Sequence, residues 1–127
     1  MLKFISSIFL LFATFSVTAA TNVDHLSFAD GKIQALVSWK VGPHVEQESN
    51  MIVEFKVDEG VYPRELKAVL FMPDMGHGSS PTKVEKISDS SFKVSKMYFT
   101  MPGLWEIRLT IKNEHGAKET KFFTIHL

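Results

Sequence analysis

The sequence predicts an all-β fold, an immunoglobulin-like two-sheet antiparallel sandwich of about seven strands, and two observations of pattern carry that prediction. Apolar and polar residues alternate with period two along most of the chain, the pattern of strands that turn one face to a core and the other to water. The alternating runs are short, and clusters of glycine, proline and small polar residues interrupt them every 8 to 15 residues or so, roughly the spacing of turns in a sandwich. Cysteine is absent from the 127 residues, so an exported form of this domain has no disulfide staples and rests on burial and strand pairing.

Residues 1–20, MLKFISSIFLLFATFSVTAA, read as a secretory signal peptide. One lysine precedes an apolar stretch from Phe4 to Phe15, diluted by Ser6, Ser7 and Thr14, and small residues follow, with Val17 and Ala19 or Thr18 and Ala20 placed for cleavage. A retained membrane anchor is the alternative, since the stretch approaches the shortest length that spans a bilayer. Residues 21–127 then form a single domain, too short to divide into two.

The first strand is IQALVSWKV, with Ile33, Ala35, Val37, Trp39 and Val41 on one face and Gln34, Ser38 and Lys40 opposite. GPHVEQESN turns the chain into NMIVEFKV, where Met51, Val53, Phe55 and Val57 face inward. After DEGVYPREL comes KAVLFM, apolar on both faces and therefore expected to be central or covered. PTKVEKI, SSFKVSKMYF and GLWEIRLTIKN give three more strands. In the last of them Trp105, Ile107, Leu109 and Ile111 alternate with Glu106, Arg108, Thr110 and Lys112. NEHGAKE makes a tight connection around Gly116, and TKFFTIHL closes the sheet. Either Trp39 or Trp105 supplies the buried tryptophan of such a sandwich.

In this architecture strands are scaffold and the loops at the ends carry chemistry. One loop stands out, MPDMGHG at residues 72–78. Met72 ends a strand, Pro73 stops the ladder, and the glycines around His77 allow a tight fold. Met72, Met75 and His77 are soft or borderline donors. Thioether sulfur selects Cu(I) and imidazole binds both copper states, whereas calcium and magnesium want oxygen and zinc seldom takes thioether. A second Met-Pro junction, Met101-Pro102, lies in YFTMPGLW. The strands between the two junctions run out and back, which returns Met101 to the same end of the sandwich and offers a further sulfur. Met97 lies within the returning strand and reads as core. Asp74 forms the turn or supports His77 from behind. His25, His44, His115 and His126 read as surface residues.

MPDMGHG followed by YFTMPGLWEIRLTI, residues 98–111, resembles the YtkA-like domain family, which is related to the extracytoplasmic part of FixH-type proteins. The resemblance covers roughly residues 30 to 126. It implies a small immunoglobulin-like sandwich outside the cytoplasmic membrane, in a family associated with copper handling and, for FixH-type members, with cytochrome oxidase maturation. It also implies that Met72, Pro73, Met75, Gly76, His77 and Gly78 form the family's loop motif and that Trp105, after Gly103, is the buried tryptophan. The long membrane helix and extended linker of FixH-type proteins have no counterpart here.

Other function classes find little support. The chain holds 14 basic and 14 acidic residues, and loss of Lys3 with the leader leaves 13 against 14, so neither nucleic acid nor anionic membrane has an electrostatic footprint. There is no HExxH, no Gly-x-Ser-x-Gly and no phosphate-cradling glycine loop, and the expectation is a non-enzyme. Two readings stand. One is an exported, periplasmic Cu(I) chaperone or buffer using Met72, Met75, His77 and Met101, exchanging copper with an envelope partner that accepts or donates it. The alternative is a non-metal immunoglobulin-like module that docks another envelope protein.

Overall fold

A computed structural model describes residues 23–112 and 115–127. Within them nine strands run in chain order: β1 Val23–Phe28, β2 Ile33–Val41, β3 Ser49–Val57, β4 Leu66–Met72, β5 His77–Gly78, β6 Lys83–Lys86, β7 Ser91–Met97, β8 Leu104–Lys112 and β9 Lys118–His126. They form a five-stranded sheet, β1-β2-β3-β7-β6, and a four-stranded sheet, β5-β4-β8-β9, every neighbouring pair antiparallel. The order β2-β3-β7-β6 against β5-β4-β8-β9 reproduces the A-B-E-D and C′-C-F-G arrangement of immunoglobulin domains, with β1 added at one edge. The leader and its cleavage site lie outside the described residues.

Period-two alternation builds the core. Ile33, Ala35, Val37 and Trp39 of β2, Met51, Val53 and Phe55 of β3, and Phe92 and Val94 of β7 meet Leu66, Ala68, Leu70 and Met72 of β4 and Trp105, Ile107, Leu109 and Ile111 of β8. Aromatic groups mark each end of this core. Phe55 lies edge-on to both Phe28 and Phe92, with centroids 6.5 and 5.8 Å away. At the other end Phe99 sits between Trp39 and Trp105, at 6.2 and 5.4 Å. Both tryptophans are therefore core residues, and neither needs the other's absence.

Two expectations change, and a third holds. Val41 does not share the inward face of β2: the register slips between Trp39 and Val41, and this bulge turns Val41 outward to 44% exposure. KAVLFM is central, as expected, with β5 and β8 on either side. Val69 is exposed on its outer face, and Phe71 lies beneath the Arg108 guanidinium, 4.0 Å from the ring centroid. The count rises from about seven strands to nine because β1 and the two-residue β5 join the sheets.

Candidate functional site

The loop motif folds as a hairpin. β4 and β5 pair through Phe71 with Gly78 and Met72 with His77, leaving residues 73–76 as the connection. The Met72 carbonyl accepts from the Met75 N–H at 3.2 Å and the Gly76 N–H at 3.0 Å. Pro73 suits the first central position of such a turn, where φ near −65° is required. Gly76 takes φ +67°, the left-handed conformation that lets the chain rejoin the ladder.

The second Met-Pro junction is held from three sides. Phe99 bridges to Val45 in parallel, and its carbonyl accepts from the Glu46 N–H at 2.8 Å. The Trp105 indole N–H donates to the Met101 carbonyl at 2.9 Å. Gly103 exchanges two backbone hydrogen bonds with Leu127, at 2.7 and 2.9 Å. A side chain at Gly103 would displace the end of Met72, because its Cβ would lie 2.7 Å from the Met72 Cε. The Met72 methyl thus fills the notch that Gly103 leaves open, two residues from Met101, and the two junctions share one end of the sandwich.

The four candidate donors sit at different depths. Met72 is 3% exposed, while Met75 is 55% exposed at the hairpin tip. Met101 packs half-buried against the core, and His77 is exposed. Directly opposed residues of an antiparallel pair project to the same face, so His77 lies beside Met72 on the inward side of a two-residue edge strand. The His77 Nδ1 approaches the Gly78 carbonyl at 3.4 Å. The structure therefore brings Met72, His77 and the Met101 turn into one neighbourhood, and sets Met75 apart at the tip. Met97 is fully buried. Asp74 is exposed within the turn. Among the described residues no three histidine, aspartate or glutamate side chains converge as a metal site.

Polar contacts that the sequence reading passed over brace this end. The Ser79 hydroxyl, just after the hairpin, donates to the Tyr98 carbonyl. The Tyr98 phenol donates to Glu48 Oε1 at 3.0 Å, a bond that raises the phenol above its ordinary pKa, with desolvation and the carboxylate charge acting in the same direction. The buried Ser49 hydroxyl accepts from the His44 N–H at 2.9 Å. The hairpin, the 98–103 turn and the 42–48 loop are thereby tied together. Isolated serines and a tyrosine at strand ends and in connections have no periodicity, and no sequence signal pointed to them. A separate groove of about 350 Å³ runs along β4, lined by Leu66, Ala68, Leu70, Ser79, Pro81 and Thr82 among others, and holds none of the four candidate donors.

No family model matches the chain, and no curated protein matches it. Among solved structures it is similar to a DUF4785 family protein from Legionella pneumophila, with a TM-score of 0.58 and 10% sequence identity. The similarity covers 75% of this chain and 28% of that one, so the chain spans little more than a quarter of that protein's length. At this identity the likeness concerns the fold alone.

Proposed function

We propose that this chain is an exported Cu(I)-binding protein, a periplasmic chaperone or buffer that exchanges copper with an envelope partner. One observation carries the reading: Met72 pairs with His77 across the hairpin, and its methyl abuts Gly103, two residues from Met101, which supports two thioethers and an imidazole as a shared donor set. That donor set fits a soft monovalent ion and offers little to hard cations. Met72 lies in an apolar surround, Met101 at its margin and His77 in water, and Met75 at the tip provides an accessible sulfur for capture or release. Neutral donors need no deprotonated thiolate, and ligand exchange with a partner needs no chemistry beyond coordination. The resemblance of MPDMGHG and YFTMPGLW to the YtkA-like family points the same way.

The test is an anaerobic Cu(I) titration of residues 21–127 against a chromophoric competitor. One equivalent is expected to bind, and Met75→Ala combined with His77→Ala is expected to abolish competition while the circular dichroism spectrum is unchanged. An affinity in that double variant equal to wild type overturns the copper reading.

A second reading has its own observation. The outer face of β4, β8 and β9 places Val69, Arg108 and Phe122 side by side across three strands, with Val69 37% and Phe122 52% exposed. An uncovered strip of aliphatic, aromatic and arginine side chains is the composition of a protein contact, and supports an immunoglobulin-like module that docks another envelope protein. Phe122→Ser would then disrupt function with Cu(I) binding intact, whereas Met75→Ala with His77→Ala would leave function unchanged.

A further inference from the structure

We infer that Met75 is a modification site: a thioether that two-electron oxidants convert to the sulfoxide ahead of every other described methionine, removing one soft donor from the hairpin. Burial sets the order. Met51 and Met97 are 0% exposed, Met72 is 3% exposed, and Met75 is 55% exposed. Met101 falls between them, half-buried against the core. Space around the tip agrees with this order, since a Cβ at the adjacent Gly76 would meet nothing within 4 Å.

The hairpin also tolerates the product. The turn is closed by the backbone, through the Met75 and Gly76 N–H groups on the Met72 carbonyl, and draws nothing from the Met75 side chain. A polar sulfoxide at position 75 projects into water and leaves the core untouched. At Met72 the same oxygen would be forced into an apolar slot whose methyl already fills the Gly103 notch, so oxidation there requires the fold to open.

With hydrogen peroxide as oxidant, the sulfur lone pair attacks one peroxide oxygen, the O–O bond breaks and an S–O bond forms. The sulfur loses two electrons and peroxide gains them. The departing hydroxide takes up the proton released by the transferred oxygen and leaves as water. The sulfoxide presents a hard oxygen where a soft sulfur stood, which disfavours Cu(I), and thiol-dependent reduction of the sulfoxide restores the donor. The loss of copper affinity rests on the copper reading above, whereas the selectivity does not.

The experiment exposes the folded domain to graded hydrogen peroxide and locates the added oxygen by peptide mass spectrometry. Residues 68–83 fall in one tryptic peptide between Lys67 and Lys83, and fragment ions separate Met72 from Met75. Met75 is expected to oxidise about tenfold or more faster than Met51, Met72 and Met97 and measurably ahead of Met101, with the differences collapsing in denaturant; Met101 oxidising first overturns the order. Equal rates at Met75 and Met72 in the folded chain overturn the proposal. The Met75 sulfoxide form is then titrated with Cu(I) beside the reduced form. Weaker binding on oxidation supports the switch, and equal binding overturns it. A reduced chain that binds no Cu(I) overturns the copper reading alone, and the oxidation rates still decide whether Met75 is the modification site.

Discussion

The two Met-Pro junctions repeat one dipeptide at one end of the sandwich, yet they are built differently. Met72 ends β4 on an inward position and is almost wholly buried, and the chain after Pro73 turns back at once through a backbone-closed hairpin. Met101 follows the buried Phe99 on an irregular stretch, half-buried, and its carbonyl is fixed by the Trp105 indole. The first junction thus places its sulfur by strand parity and the second by a side-chain hydrogen bond from a later strand. Depth follows from this: the hairpin throws its second methionine, Met75, into water, while the 101–103 turn, tied to the core and to Leu127, keeps its methionine half-buried. The dipeptide ends a strand at Met72 but lies beyond the end of β7 at Met101, so the neighbours decide which donor faces the core.

Breaking the anchor of the second junction has the largest expected effect. Trp105→Ala removes a fully buried indole in contact with Phe99, and is expected to cost about 3–5 kcal/mol in chemical denaturation. Trp105→Phe keeps most of the packing and loses the bond to the Met101 carbonyl, for about 1 kcal/mol. If the two variants are equally destabilised, the indole N–H rather than the ring holds this turn.

Breaking the first junction comes next. Met72→Ala empties a slot lined by core and by Gly103, and about 2–5 kcal/mol is expected to be lost. A loss below about 1 kcal/mol would mean that the thioether end is already partly wet, and that Met72 contributes to a site more than to a core.

These contrasts were only partly readable in the sequence. Most of the seven expected strands announced themselves by alternation, because residues such as Trp105, Ile107, Leu109 and Ile111 had to meet a core while Glu106 and Thr110 had to meet water. β1 escaped, since in VDHLSF only Leu26 and Phe28 carry the inward signal toward the end of the run. β5 escaped because two residues have no period; its pairing is a by-product of the turn. KAVLFM was readable as a central strand from its apolar residues on both faces, but nothing local reveals that Arg108, from a strand about 40 residues later, lies over Phe71. At the site, strand counting placed the two junctions at one end, whereas their depth depends on the contact between Met72 and Gly103, which is 31 residues distant in sequence and leaves no local mark.

A smaller pair of effects sharpens the comparison through backbone alone. Gly76 and Gly103 both hold positive φ, at +67° and +137°, but space differs. Gly76→Ala meets no neighbour and is expected to cost only conformational strain, about 1 kcal/mol. Gly103→Ala adds a clash with Met72 and is expected to cost about 2 kcal/mol or more. In Gly103→Ala the Met72 methyl resonance should shift as its side chain is displaced, and in Gly76→Ala it should not. Equal costs without that shift would remove the notch from the account.

The smallest stability effect belongs to Met75, and it separates the two junctions most cleanly. Its side chain is exposed and closes no part of the turn, so Met75→Ala is expected to change unfolding free energy by less than about 0.5 kcal/mol. A residue that the fold does not need is a good place to keep a donor, because its coordination chemistry can vary without altering the scaffold. Met75→Ala is therefore expected to weaken Cu(I) binding at constant stability, whereas Met72→Ala lowers both together. Should Met75→Ala leave Cu(I) affinity unchanged while Met101→Ala abolishes it, the donors belong to the inner pair with His77, and the hairpin tip serves only to turn the chain.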